Sequence, residues 1–288
     1  MKRVLALLTV FAMVFVLFAC KEEPDGSSFA ADAFAESIDL SDPSVPEGEQ
    51  SYKDTEFSAI TSPQDYFETQ IFTEADTDIY YLFHEPIRDT GKAYPLVIFL
   101  HGLGDTVNER SLGTATQFVD SLIWLENESE EYSAYTLVPS TPLAHEGGWS
   151  YAQLEAFKRL IYHLLENFNI DSKRLYVSGI SMGGFTTCQL VNEMPPDTFA
   201  AAAPLSGARM MTHPERLHNT AFHIYHSTND TVVDVSSSRW LNEQLLISGH
   251  PKVEYTEFEN GDHISPLYSV YTNQCYQFFG WMFAQRLP

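Results

Sequence analysis

The sequence predicts an α/β protein: a mostly parallel, doubly wound sheet of about eight strands without a large lid. Two observations lead there. Short apolar or β-branched runs alternate with longer stretches of helical apolar spacing from about residue 65 onward. Leu96-Val97-Ile98-Phe99-Leu100 is continuously apolar, as a strand covered on both faces must be. In such sheets binding and catalytic groups gather where strands end at their carboxyl termini.

The elements follow in order. Phe67–Phe72 and Ile79–Phe83 read as an opening hairpin, and 96–100 as a central strand. Leu112, Ala115, Phe118, Val119, Leu122 and Ile123 place a helix over about 110–125. Ala134–Val138 is the next strand. Ser150-Tyr151-Ala152-Gln153 has the form of a capping box, opening a helix with Leu154, Phe157, Leu160, Ile161, Leu164, Leu165 and Phe168 on one stripe. Strands at 174–178, 199–205, 221–225 and 253–258 complete the sheet, with helices after the first of these, near 236–247 and near 275–285. Ser206 to Thr220 is too short a connection for the lid of an interfacial lipase.

The body, 61–288, follows two segments of different character. Residues 1–20 combine Met1-Lys2-Arg3, an apolar stretch from Val4 to Phe18, and Leu17-Phe18-Ala19-Cys20. That is an export signal, too short for a membrane span. It resembles the bacterial lipoprotein signal, which implies a lipid on Cys20 and a membrane partner through that anchor alone. An ordinary signal cut nearby is the alternative. Residues 21–60 read as an acidic flexible tether, because 21–56 carry eleven Asp or Glu against Lys21 and Lys53 and few large apolar residues. A formal charge of −23 excludes the basic footprint of a nucleic-acid partner. Cys188 and Cys275 sit on helices expected on opposite sheet faces, which predicts two buried thiols rather than a disulfide. No spacing suggests a metal site.

Gly179-Ile180-Ser181-Met182-Gly183 lies between a strand and a helix, the setting of a nucleophile elbow. A side chain at 179 or 183 would meet the neighbouring strand or helix. A serine hydroxyl needs a base, and the base needs an orienting acid. After this elbow the order should be serine, acid, histidine. Asp230 follows the strand 221–225 and His263 follows 253–258, so both fit. Of the other histidines, His84 and His101 precede the serine, and His213 and His218 lie before the Asp230 strand. His223 reads as a satisfied strand imidazole, His226 as a residue that shapes the acid loop, and His250 as lying at the wrong sheet end. Asp234 is expected to start a helix, and Asp262 is too close to His263 to brace its ring. Oxyanion donors are expected at the amides of Met182 and Leu103, the latter in His101-Gly102-Leu103-Gly104-Asp105 after the central strand. His101 and Trp149 are candidate substrate contacts; Trp149 lines a pocket or wedges into the core.

With these pieces placed, the body resembles the α/β-hydrolase superfamily over most of 65–288. The segment Tyr176–Phe185 with Phe199–Gly207 is similar to the secreted feruloyl-esterase, polyhydroxybutyrate-depolymerase and "predicted peptidase" group. His101–Thr106 is similar to the phospholipase/carboxylesterase and acyl-thioesterase group. The resemblance implies ester hydrolysis through an acyl-enzyme, without a cofactor. The resemblance does not fix the acyl group; the lack of a large lid and the tethered, exported, envelope-anchored setting favour small or carbohydrate-linked esters, such as feruloyl or acetyl groups on polysaccharide. A serine peptidase of the same fold and a non-catalytic binding module on a hydrolase scaffold are the alternatives; the second would be expected to lack the serine or the histidine, and both are present.

Overall fold

A computed structural model describes residues 66–88, 90–105, 113–140 and 149–288. The expected signal 1–20 with Cys20, and the tether 21–60, lie outside these residues. Within them, eight strands form one sheet in the order β1-β2-β4-β3-β5-β6-β7-β8. They are β1 Glu68–Glu74, β2 Thr77–His84, β3 Tyr94–Leu100, β4 Tyr135–Ser140, β5 Ile170–Ile180, β6 Ala201–Leu205, β7 Ala221–Ser227 and β8 Val253–Phe258. β2 runs antiparallel to β1 and β4, and all pairs from β4 through β3 to β8 are parallel. The hairpin turns on Ala75 and Asp76, with φ of +46° and +65°. Two positive φ values are what a two-residue reversal matching the strand twist requires.

The strand period of two distributes the core onto two faces. Leu96, Ile98 and Leu100 of β3 face one cluster, and Val97 and Phe99 face the other. The first cluster is completed by α2 (Tyr151–Asn167), α3 (Met182–Glu193) and α4 (Ser236–Ile247). The second is completed by α1 (Thr116–Glu128) and the aromatic α6 (Cys275–Phe283). Cys188 belongs to the first and Cys275 to the second, and both thiols are free and buried. α2 opens with the capping box: Ser150 Oγ accepts from Gln153 N while the Gln153 side chain accepts from Ser150 N.

Some boundaries move. α1 begins at Thr116 after a 3₁₀ turn at Gly113–Ala115, because Gly113 at φ +52° does not continue a helix; residues 110–112 lie outside the described set. β5 starts at Ile170, earlier than the apolar run suggests, since Tyr94 pairs with Ile170 across a register shift. A short α5 (Ser265–Tyr268) leading into a π turn (Ser269–Asn273) has no counterpart in the sequence reading. It brings the Tyr271 hydroxyl to 2.6 Å from Ser178 Oγ in β5. The 206–220 connection holds a 3₁₀ turn at Pro214–Arg216. Among the described residues no helix is long and apolar enough to cross a membrane.

Candidate active site

Ser181 occupies the single residue between β5 and α3 and has φ +57° and ψ −117°. For a residue with a Cβ that conformation costs on the order of 1–3 kcal/mol, so the surroundings must impose it. They do so by close approach. A Cβ on Gly179 would lie 2.6 Å from the Leu100 carbonyl oxygen, and one on Gly183 would overlap that same carbonyl. A Cβ on Gly207, after β6, would overlap the Ser181 carbonyl. Ser181 N donates to Leu205 O at 2.9 Å, fixing the turn to β6. The side chain is half-buried at the amino end of α3.

Asp230 and His263 are brought together. His263 Nδ1 donates to Asp230 Oδ2 at 2.7 Å. The other carboxylate oxygen accepts from Val232 N at 2.8 Å and Val233 N at 2.9 Å. Burial alone would raise this carboxyl's pKa, but the hydrogen bonds from His263, Val233 and Val232 lower it. The loop carrying His263 folds back over β7: Thr228 N donates to Phe258 O, Asn229 N to Gly261 O, and Asn260 N to Thr228 Oγ1. Ser181, Asp230 and His263 thus follow the carboxyl ends of β5, β7 and β8, with only β6 between the serine's strand and the acid's. Among the described residues the Ser181 hydroxyl makes no hydrogen bond to His263; such contacts tighten when substrate binds.

His226 supplies a second imidazole to the same carboxylate. Its Nε2 lies 3.1 Å from both Asp230 Oδ2 and Val233 O, while Nδ1 lies 2.7 Å from Ser238 Oγ. Two acceptors at Nε2 require the proton there, so Nδ1 accepts from the serine hydroxyl. Burial lowers the pKa of this imidazole, and the Val233 carbonyl and Asp230 only partly oppose that.

Near the expected oxyanion turn, the Met182 amide sits in the first turn of α3 without an intrahelical acceptor. Leu103 stands in the turn after β3 and is 57 % exposed. His101, expected as a substrate contact, is 2 % exposed, and its Nδ1 donates to Gly102 O at 2.7 Å. Burial lowers its pKa. It is thus buried and bonded to the backbone of the turn it opens. Trp149, the other expected contact, is 7 % exposed and stacked on Phe157 with ring centroids 4.9 Å apart. The wedge alternative is what the packing realises.

The remaining predicted polar residues have local duties. Asp234 Oδ1 accepts from Ser236 N at the start of α4. Asp262 Oδ1 accepts from Ile264 N, Ser265 N and Ser265 Oγ. His223 bonds Tyr225 and Thr256, and His250 bonds Leu217 O. Among the described residues no group of three or more His, Cys, Asp and Glu could hold a metal ion. Ser238, bonded to His226, and Asp105 with Thr114, bonded to the Gly102 amide in the turn after β3, are contacts that sequence reasoning missed. Each joins residues too distant in sequence for spacing to reveal.

The profile of the prolyl oligopeptidase family matches residues 144–214, which include the elbow. A bifunctional acetylxylan esterase/xylanase, XynS20E of Neocallimastix patriciarum, is 33 % identical over 76 residues, covering 26 % of this chain and 11 % of that protein. Poly(3-hydroxyalkanoate) depolymerase C of Paucimonas lemoignei is 29 % identical over 159 residues, covering 52 % of this chain and 36 % of that protein. The chain therefore spans about a tenth and about a third of the curated relatives it matches. The crystal structure of a thermostable esterase superposes with a TM-score of 0.67 at 29 % identity, covering 77 % of this chain and 64 % of that one.

Proposed function

We propose that this chain, an α/β-hydrolase by its sheet order and its structural relatives, is a serine ester hydrolase acting through an acyl-enzyme. The observation that carries the reading is the pairing of a strained serine with a bonded acid and base: Ser181 at φ +57° and His263 Nδ1 2.7 Å from Asp230 Oδ2. In this reading His263 Nε2 takes the Ser181 proton as Oγ attacks the ester carbonyl. The Leu103 and Met182 amides hold the oxyanion, and His263 returns the proton to the departing alcohol. Water then repeats the sequence on the acyl-enzyme and releases the acid. Asp230 holds the imidazole in the tautomer with Nδ1–H and stabilises its charge. Small or carbohydrate-linked esters of the acetyl or feruloyl type are the proposed substrates, supported by the match to an acetylxylan esterase. An exported, lipid-anchored protein, tethered through Cys20, completes the reading.

Replacing Ser181 with Ala tests it. Turnover of a short-chain nitrophenyl ester is expected to fall to background while the folded state persists; undiminished turnover overturns the assignment. A serine peptidase is the second reading, favoured by the family match over residues 144–214. Matched ester and amide substrates separate the two, since a peptidase retains substantial rate on the amide.

A further inference from the structure

We infer that Asp105, with Thr114, is a positioning residue that sets the oxyanion turn for catalysis; this rests on the serine-hydrolase reading above. Asp105 Oδ2 accepts from Gly102 N at 3.2 Å, from Thr114 N at 3.0 Å and from Thr114 Oγ1. Thr114 Oγ1 in turn accepts from Gly102 N at 3.1 Å. The Gly102 carbonyl is held from the other side, by His101 Nδ1 at 2.7 Å and Asp105 N at 3.4 Å. Both polar groups of Gly102 therefore have fixed partners.

A planar trans peptide places the N–H of one residue opposite the carbonyl of the preceding one. Tying the Gly102 carbonyl to His101 and Asp105 N thus aims the Leu103 N–H the other way, and the carboxylate on Gly102 N prevents the residue from rotating. Gly113 makes the clamp sterically feasible: a Cβ there would lie 2.8 Å from Asp105 Cγ. A carboxylate has no proton to give an oxyanion, and an uncompensated charge nearby would oppose one. Three donors on a single oxygen absorb that charge, so Asp105 acts through the backbone it holds.

An ordinary cap for the turn at Gly113–Ala115 is the competing role, and kinetics separates the two. A cap affects stability; a positioning residue affects the transition state more than substrate binding. For Asp105→Asn, which keeps the shape but presents an amide N–H₂ or a neutral carbonyl to the donors, kcat is expected to fall by about ten- to a hundredfold. KM should change by less than about threefold. The inhibition constant of a trifluoromethyl ketone, whose serine adduct carries an oxyanion, should rise by the same factor as kcat/KM falls. Thr114→Val, which removes one donor and one acceptor, should show the same pattern at smaller amplitude and serves if Asp105→Asn does not fold. Thermal unfolding of each variant reports the cap role. If both variants unfold earlier but keep kcat and the ketone affinity within about twofold, the inference is overturned while Ser181→Ala remains dead. If Ser181→Ala is itself active, the serine-hydrolase reading fails first.

Discussion

The buried imidazole of His226 donates to Asp230 Oδ2 at 3.1 Å, the same oxygen that accepts His263 Nδ1 at 2.7 Å. One carboxylate oxygen therefore serves two histidines, and the other serves two backbone amides. Removing His226 leaves Oδ2 to His263 alone, which makes Asp230 more basic and its bond to His263 stronger. With a more basic Asp230 behind the catalytic imidazole, the acid limb of the kcat/KM profile should move to higher pH in His226→Asn. Val233 O and Ser238 Oγ also lose a partner, for a stability cost of about 1–3 kcal/mol. A pH–rate series with thermal unfolding checks both effects; an unmoved acid limb would confine His226 to a structural role.

Asp230→Asn should lower kcat by roughly 10³- to 10⁴-fold through the wrong imidazole tautomer. It should also change the pH dependence of stability. The folded carboxyl titrates below its ordinary value, so its stabilising contribution is present above an unfolded pKa of about 3.9 and is lost as pH falls through the folded value. The stability advantage of the native protein over the variant should be full at about pH 6–7 and disappear on going well below pH ~4. Urea midpoints along that range measure it, and a difference independent of pH would count against the ionised pair.

Gly183→Ala places a Cβ inside the Leu100 carbonyl, where neither can yield: the Cβ is fixed rigidly to its Cα and the carbonyl belongs to the backbone. Gly91 makes a useful comparison: it has φ +71° and nothing within 4 Å of its Cβ position. Gly91→Ala should cost about 1–2 kcal/mol from its left-handed backbone alone. Gly183→Ala should cost at least about 3 kcal/mol or prevent folding. Chemical denaturation of the two variants tests whether close approach, rather than backbone conformation, dictates the elbow glycines.

Sequence made the sheet legible where one pattern had one meaning. The run 96–100 is apolar throughout because both faces of β3 are covered, and α4 at 236–247 buries Ser238, Leu241 and Leu245 at helical spacing after Asp234 accepts from Ser236 N. The placement of Ser181, Asp230 and His263 after β5, β7 and β8 was legible because each follows its own strand in sequence. The short α5 and its π turn were not, since Ser265-Pro266-Leu267-Tyr268 shows too few turns for a period to emerge. Trp149 and His101 were ambiguous for a different reason. An aromatic or imidazole beside glycines has the same sequence signature whether it faces ligand or core, and only packing against Phe157 and Gly102 decides. The Asp105–Thr114 clamp joins two chemically ordinary residues nine positions apart, so no motif announces it.

Asp120 on α1 tests whether burial of an acid is a liability in this fold. Its Oδ1 is buried and has no hydrogen-bond partner among the described residues. Burial raises its pKa from 3.8 to about 6. A raised carboxyl pKa means that the folded state holds the proton more tightly than the unfolded chain. The ionised form is thus a penalty that is absent below the unfolded value and fully present above about pH 6. Asp120→Asn keeps the shape and removes the charge, so it should leave stability nearly unchanged at about pH 4 and raise it by about 1–2 kcal/mol at about pH 7.5, after discounting for partial exposure. Denaturation midpoints of the two proteins at both pH values decide. A gain that is equal at the two pH values would assign the effect to packing, and no gain at the higher one would mean that the carboxylate is solvated in solution.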